Sequence, residues 1–130
     1  LYTEFKTSLI FPPERDRHMK ADPRLQVADI MKGIDAMLNQ KGGTLFIGVN
    51  NAGLPVGLHG DFVYLNGGID DYDLQDVKDK FRLLLDNGMR RHFGAAPEGV
   101  VLYPDYVNPE FDFIDGQWVC RIDVRPPLRW

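Results

Sequence analysis

Hydrophobic positions along the chain change their period several times, and each change marks an element. Residues 2–8 alternate, with Tyr2, Thr3, Phe5 and Thr7 favouring an extended strand. Leu9, Ile10 and Phe11 carry the apolar character on until Pro12-Pro13 stops it. Residues 14–21 are highly charged and have no apolar period, as suits an exposed loop. Asp22-Pro23 reads as a helix start, because Asp accepts from free N–H groups and proline fits the first helical position. Val27, Ile30, Met31, Ile34 and Leu38 then recur at helical spacing, predicting a one-faced helix of about four turns. Gly33 and Ala36 would let another element approach that helix closely. Met31 and Met37 read as packing residues.

Gly42-Gly43 ends the helical pattern, as glycine does at helix ends. Thr44, Leu45, Phe46, Ile47 and Val49 follow as a nearly unbroken apolar run, predicting a strand covered on both faces. Residues 50–53 (Asn-Asn-Ala-Gly) supply turn chemistry and residues 54–58 read as a return strand, giving a central hairpin with a polar tip. Residues 59–73 are polar, with a turn at Asn66-Gly67-Gly68. Asp73 is the expected cap of a second helix whose buried stripe is Leu74, Val77, Phe81, Leu84 and Leu85, with Asp76 in its first turn. Gly88 is expected to weaken or kink that helix, and Gly94 with Pro97 to close the segment. Residues 99–107 read as a strand with Pro104 at an edge or an end. Residues 110–114 and 117–124 form two extended runs joined at Asp115-Gly116, a hairpin turn. The expected fold is therefore α+β, a single domain over residues 1–130. It has a mixed, mostly antiparallel sheet with two main helices packed mainly on one side, in the order β-α-β-β-α-β-β-β.

Composition narrows this only a little. The 130 residues are 44% hydrophobic and 26% charged, which is ordinary for a globular domain. No apolar run reaches the length of a membrane span and no signal-peptide pattern opens the chain. A lone Cys120 excludes an internal disulfide and suits a reducing cytoplasm, and its apolar strand makes it a small core residue. The net charge of −4 argues against nonspecific duplex binding driven by phosphate neutralisation. The charges are nonetheless uneven. Cations gather at Arg15, Arg17, Lys20 and Arg24, at Arg90-Arg91, and at Arg121, Arg125 and Arg129. Acids gather at Asp70, Asp71, Asp73, Asp76 and Asp79 and between Asp105 and Asp115.

The order Thr3-Glu4-Phe5-Lys6-Thr7-Ser8, then a helix, Gly42-Gly43, an apolar strand, Gly48-Val49, Asn50-Asn51, and Gly53 with Gly57 resembles the AlbA_2 domain shared by Schlafen proteins and many bacterial regulators. The resemblance covers residues 2–58 well and residues 59–130 loosely, and it implies the same α+β layer. In relatives that cleave RNA, the resemblance implies a metal-assisted site of two glutamates from the opening signature and an aspartate after the Gly-Val. Such carboxylates hold hard cations that polarise a phosphate and activate water. Glu4 matches the second glutamate. The first would fall before Leu1, and Asn51 stands at the aspartate position, so Glu4 and Asn51 are vestigial candidates and no metal, cofactor or catalysis is expected. The bland reading of Glu4 and Lys6, which share one face of a strand, is an ion pair on a solvated face.

Other chemistries lack their context. Gly42-Gly43 follows a helix and precedes a strand, the reverse of a phosphate loop, and no Gly-x-x-x-x-Gly-Lys-Ser/Thr occurs. His18, His59 and His92 have no paired ligand spacing. His59 reads as a loop residue, and His92 sits near a helix end where a cation complements the dipole. No serine has a nucleophile elbow, and Cys120 has no neighbouring base. For nucleic acid the candidate contacts are Lys6, Arg15, Arg17, Lys20, Arg24 and Lys41, which would track phosphates without sequence readout. Tyr64, Tyr72 and Tyr103 are candidates for stacking if exposed.

The expectation that results is a non-catalytic nucleic-acid-binding module of a bacterial transcriptional-regulator-like protein, cytoplasmic and excised from a longer chain with fused neighbouring domains. DNA and RNA both stay open as partners, as does a homodimer, and no membrane is involved. The alternative is a protein-interaction or assembly domain, favoured by the net charge. A metal-dependent ribonuclease ranks last.

Overall fold

The structure, a computed structural model, describes residues 2–13, 20–93 and 106–126. Strand β1 (Tyr2–Lys6) leads to helix α1 (Pro23–Leu38), whose cap is Asp22: its side chain accepts from the Leu25 N–H at 3.2 Å. Gly42 carries the chain out of that helix with a φ of 81° and donates its N–H to the Met37 carbonyl at 3.0 Å. A side chain there would be strained and would meet the Val124 carbonyl, so glycine is required twice over. Strand β2 (Gly43–Ile47) follows, then helices α2 (His59–Leu65) and α3 (Leu74–Phe93), and strands β3 (Val107–Ile114) and β4 (Gln117–Val124).

The four strands make one sheet in the order β1-β2-β4-β3. β1 runs parallel to β2, with Glu4 opposite Leu45 and Lys6 opposite Ile47, while β4 is antiparallel to both β2 and β3. The sheet is thus mixed and mostly antiparallel, and the class is α+β as expected. α1 makes the long crossover that a parallel pair needs. The turn between β3 and β4 is Asp115-Gly116, both at positive φ (50° and 76°), the backbone of a two-residue hairpin.

One face of the sheet builds the core. Leu45, Ile47, Cys120, Ile122 and Val124 alternate inward and meet Ile30 and Ile34 of α1 and Val77, Phe81, Leu85 and Met89 of α3, all buried. Burying each such aliphatic side chain contributes roughly 2 kcal/mol, the main term holding the layers together. Cys120 is in this core, and burial pushes its thiol up to about 12, so it is inert at neutral pH.

Four local readings are refined. α3 continues unbroken through Gly88 to Phe93, and Gly88 is buried against α1, where a Cβ would collide with Val27. Residues 54–58 do turn back on the chain before them, through an antiparallel bridge between Val49 and Pro55 and backbone bonds from Asn50 N–H to the Leu54 carbonyl and from the Val56 and Gly57 N–H groups to the Gly48 carbonyl, but they do not form a strand of the sheet. The segment after them, read as polar loop, contains α2, which buries Phe62 and Asp61. β3 begins at Val107 and includes Pro109, tolerated because β3 is an edge strand. The strand expected over 99–107 lies outside the described residues except for its last two positions.

Candidate functional site

Because β1 and β2 are parallel, their C-terminal ends reach the same end of the molecule, and α1 starts there. A groove of about 700 Å³ opens at this end, lined by Phe5, Lys6, Phe11, Leu25, Asn51 and Ala52 among others. Its walls are fixed by backbone chemistry. The Lys6 carbonyl accepts from the Gly48 and Val49 N–H groups at 2.7 and 3.1 Å, fastening the end of β1 to the chain leaving β2. The Asn50 side-chain oxygen accepts from the Ala52 and Leu54 N–H groups, both at 3.0 Å, which folds the turn on itself. Asn50 is therefore committed to the turn, whereas Asn51 beside it is exposed.

The opposite wall hangs on α2. The buried Asp61 carboxylate accepts from the Ser8 hydroxyl at 2.5 Å and the Leu9 N–H at 2.8 Å. The Ser8 oxygen in turn accepts from the Ile10 and Phe11 N–H groups, each at 2.9 Å. Burial raises the Asp61 carboxyl from 3.8 to about 6, partly offset by the two bonds it accepts. This latch holds Phe11 in the groove wall, where its ring meets Tyr64 edge-on at 5.8 Å.

The candidate residues separate on this frame. Lys6 lines the groove, and its ammonium pairs with Asp29 of α1 at 2.6 Å rather than with Glu4. Glu4 shares the helix-facing side of β1 but lies under Gly33 of α1, so that face is covered rather than solvated. The Glu4 Oε2 is buried without a hydrogen-bond partner. Asn51 lines the groove, whereas the Glu4 carboxylate lies against Gly33 between β1 and α1. Among the described residues, no group of three or more His, Cys, Asp and Glu side chains is placed to hold a metal.

Lys20 and Arg24 are exposed at the start of α1, whose residues Leu25, Gln26 and Asp29 line the groove. Lys41 precedes β2 and therefore lies at the other end of the sheet, apart from Lys6. Arg15, Arg17, His18 and Tyr103 lie outside the described residues. Among the glycines, Gly48 (φ 94°), Gly53 (φ 78°) and Gly57 (φ 87°) shape the segment after β2, and Gly43 packs against the Tyr2 carbonyl. His59 opens α2 and bonds the Tyr72 hydroxyl at 2.8 Å, and His92 faces Asp35 at 3.5 Å. Tyr72 also packs on Phe62, while Tyr64 stays exposed.

Two features went unread in the sequence. The Ser8–Asp61 latch joins positions far apart in sequence with no motif to link them. The aromatic pair Phe113–Trp118, with ring centres 4.9 Å apart, was legible: a two-residue turn at Asp115-Gly116 sets these side chains opposite each other.

The family model described as Schlafen, AlbA_2 matches residues 1–129. No curated protein and no solved structure matches the chain.

Proposed function

The chain belongs to the Schlafen AlbA_2 family, and on that premise we propose that it is a non-catalytic nucleic-acid-binding module of a bacterial transcriptional-regulator-like protein, working in the cytoplasm. The match along residues 1–129 carries the reading at the level of a nucleic-acid-related domain. The groove supports the finer part: Phe11 and Leu25 line it as apolar surface for bases, Lys6 lines it as a cation, and the exposed Lys20 and Arg24 stand at the start of α1, the helix that supplies Leu25. Asn51 at the aspartate position and the Glu4 carboxylate held under Gly33 of α1 support the absence of catalysis.

The test is an anisotropy titration with single- and double-stranded DNA and RNA at low and moderate salt. Binding should weaken as salt rises, and the double variant Lys20→Glu/Arg24→Glu should weaken it by about tenfold or more. No binding at low salt, or binding indifferent to salt, overturns the reading. Cleavage of transfer RNA with Mn²⁺ that Glu4→Ala abolishes would replace it with a ribonuclease.

The second reading is an interaction domain, and one observation favours it. Leu54 and Val56 after β2 are 60% and 47% exposed, on a chain of net charge −4. Sedimentation giving a tight dimer that survives Lys20→Glu/Arg24→Glu would support it.

A further inference from the structure

Lys78 and Arg82 stand one turn apart on α3, two like charges on one helix face. Beneath Lys78 lie two rings: its Nζ is 3.4 Å from the centre of the Trp118 ring and 5.6 Å from that of Phe111. The guanidinium carbon of Arg82 is 5.4 Å from the centre of Phe111. Nearby acids on the same helix are engaged elsewhere, Asp76 with Lys80 at 3.1 Å and Asp79 with the Gln75 amide at 2.9 Å. Desolvation, and then the charge of Arg82, lower the Lys78 pKa, as expected of two cations crowded onto an aromatic floor. Beside them Phe113 is 60% exposed and leans on Trp118. The patch lies toward the β3 edge of the sheet, and the groove lies at the β1 edge. Across a four-stranded sheet those edges are about 14 Å apart, three interstrand spacings.

We propose that Lys78, Arg82, Phe113 and Trp118 form a second nucleic-acid contact that takes an unpaired strand, and this rests on the binding reading given above. Two like cations with ring faces below them attract a phosphate, to whose oxygens their N–H groups donate. The exposed Phe113 ring offers a stacking face to the adjoining base. A base paired within a duplex has both faces covered by its neighbours, so only a single strand, a loop or an end uses that ring. The groove and the patch together give one strand two points of attachment at opposite sheet edges.

The experiment uses the whole chain with a labelled oligo-uridine and oligo-thymidine of about ten nucleotides and a duplex of equal length, a site size within the range of single-strand-binding modules. Phe113→Ala should weaken single-strand binding about fivefold or more and leave duplex binding unchanged, while Phe113→Tyr keeps wild-type affinity. Lys78→Gln/Arg82→Gln should lower affinity and reduce its salt dependence. Trp118 emission should be quenched as the single strand binds, and the quenching should vanish in Trp118→Phe, which retains Trp130. Circular dichroism checks that each variant is folded, and the quenching of the unaltered protein decides the matter if Phe113→Ala is not. Single-strand affinity indifferent to Phe113→Ala, or falling equally for the duplex, overturns the inference. So does a bound complex without quenching. If Lys20→Glu/Arg24→Glu still weakens binding in those cases, the general reading survives. No binding to any probe at low salt removes both.

Discussion

Asp61 is the one buried ionisable carboxylate among the described residues, and it is placed where a loop must be fastened to a helix. Its pKa is raised in the fold, from 3.8 to about 6, so the folded protein holds the proton more tightly than the unfolded chain. Stability from this group is therefore complete below about pH 4 and is lost as pH rises through about 6. A rise of about two units corresponds to about 3 kcal/mol at most. Urea unfolding of the unaltered protein and Asp61→Asn across pH 4 to 8 should give a stability difference that falls through that window and then levels off. A difference curve without slope there would mean that the latch carboxylate is not desolvated. Glu4 presents the opposite problem, a buried oxygen without a partner, held under a helix by the lack of a side chain at Gly33. Gly33→Ala should cost about 1–3 kcal/mol by overpacking. Adding Glu4→Ala should recover much of that loss in thermal melts, and strictly additive effects would show that the two positions do not touch.

Among the elements, α1 was legible because its signals are local: Asp22-Pro23 starts it, apolar spacing orients it, and Gly42 ends it. The sheet's hairpin was legible for the same reason, since Asp115-Gly116 sets its own register. The reason for Gly88 was not legible because it is not local. Helix propensity alone would gain about 1 kcal/mol from Gly88→Ala. Contact with Val27 should outweigh that gain and lower the melting temperature, and Val27→Ala should restore it. α2 was missed because it is seven residues long and has no side-chain hydrogen bond at its cap, so its start looks like loop. It earns its place through Phe62, whose ring packs against Phe81 and Phe111 from α3 and β3. Residues 54–58 read as a strand because Asn50 and Gly53 announce a turn; the turn exists, but a positive φ at Gly57 diverts the chain after one bridge.

At the scale of the molecule, the candidate site was legible in its parts and not in its assembly. Sequence proximity of Glu4, Lys6 and Asn51 to shared motifs suggested one cluster. The parallel pairing of β1 with β2 instead puts Lys6 and Asn51 at one end and leaves Glu4 beneath α1, with Lys41 at the far end. Strand direction follows from which hydrophobic faces meet across the whole chain, so no short stretch encodes it. The same topology has a consequence in time. β4, the last of the described strands in sequence, is an interior strand of the sheet, flanked by β2 and β3. During synthesis β1, α1 and β2 must wait with a bare inner edge while α3 and β3 are made, and this layer closes only when β4 threads between its neighbours. Refolding should accordingly be slow for a domain of this size, limited by distant pairing such as Thr44 with Asp123. A nascent chain halted before residue 117 should be open to proteolysis, and one extended past residue 124 protected.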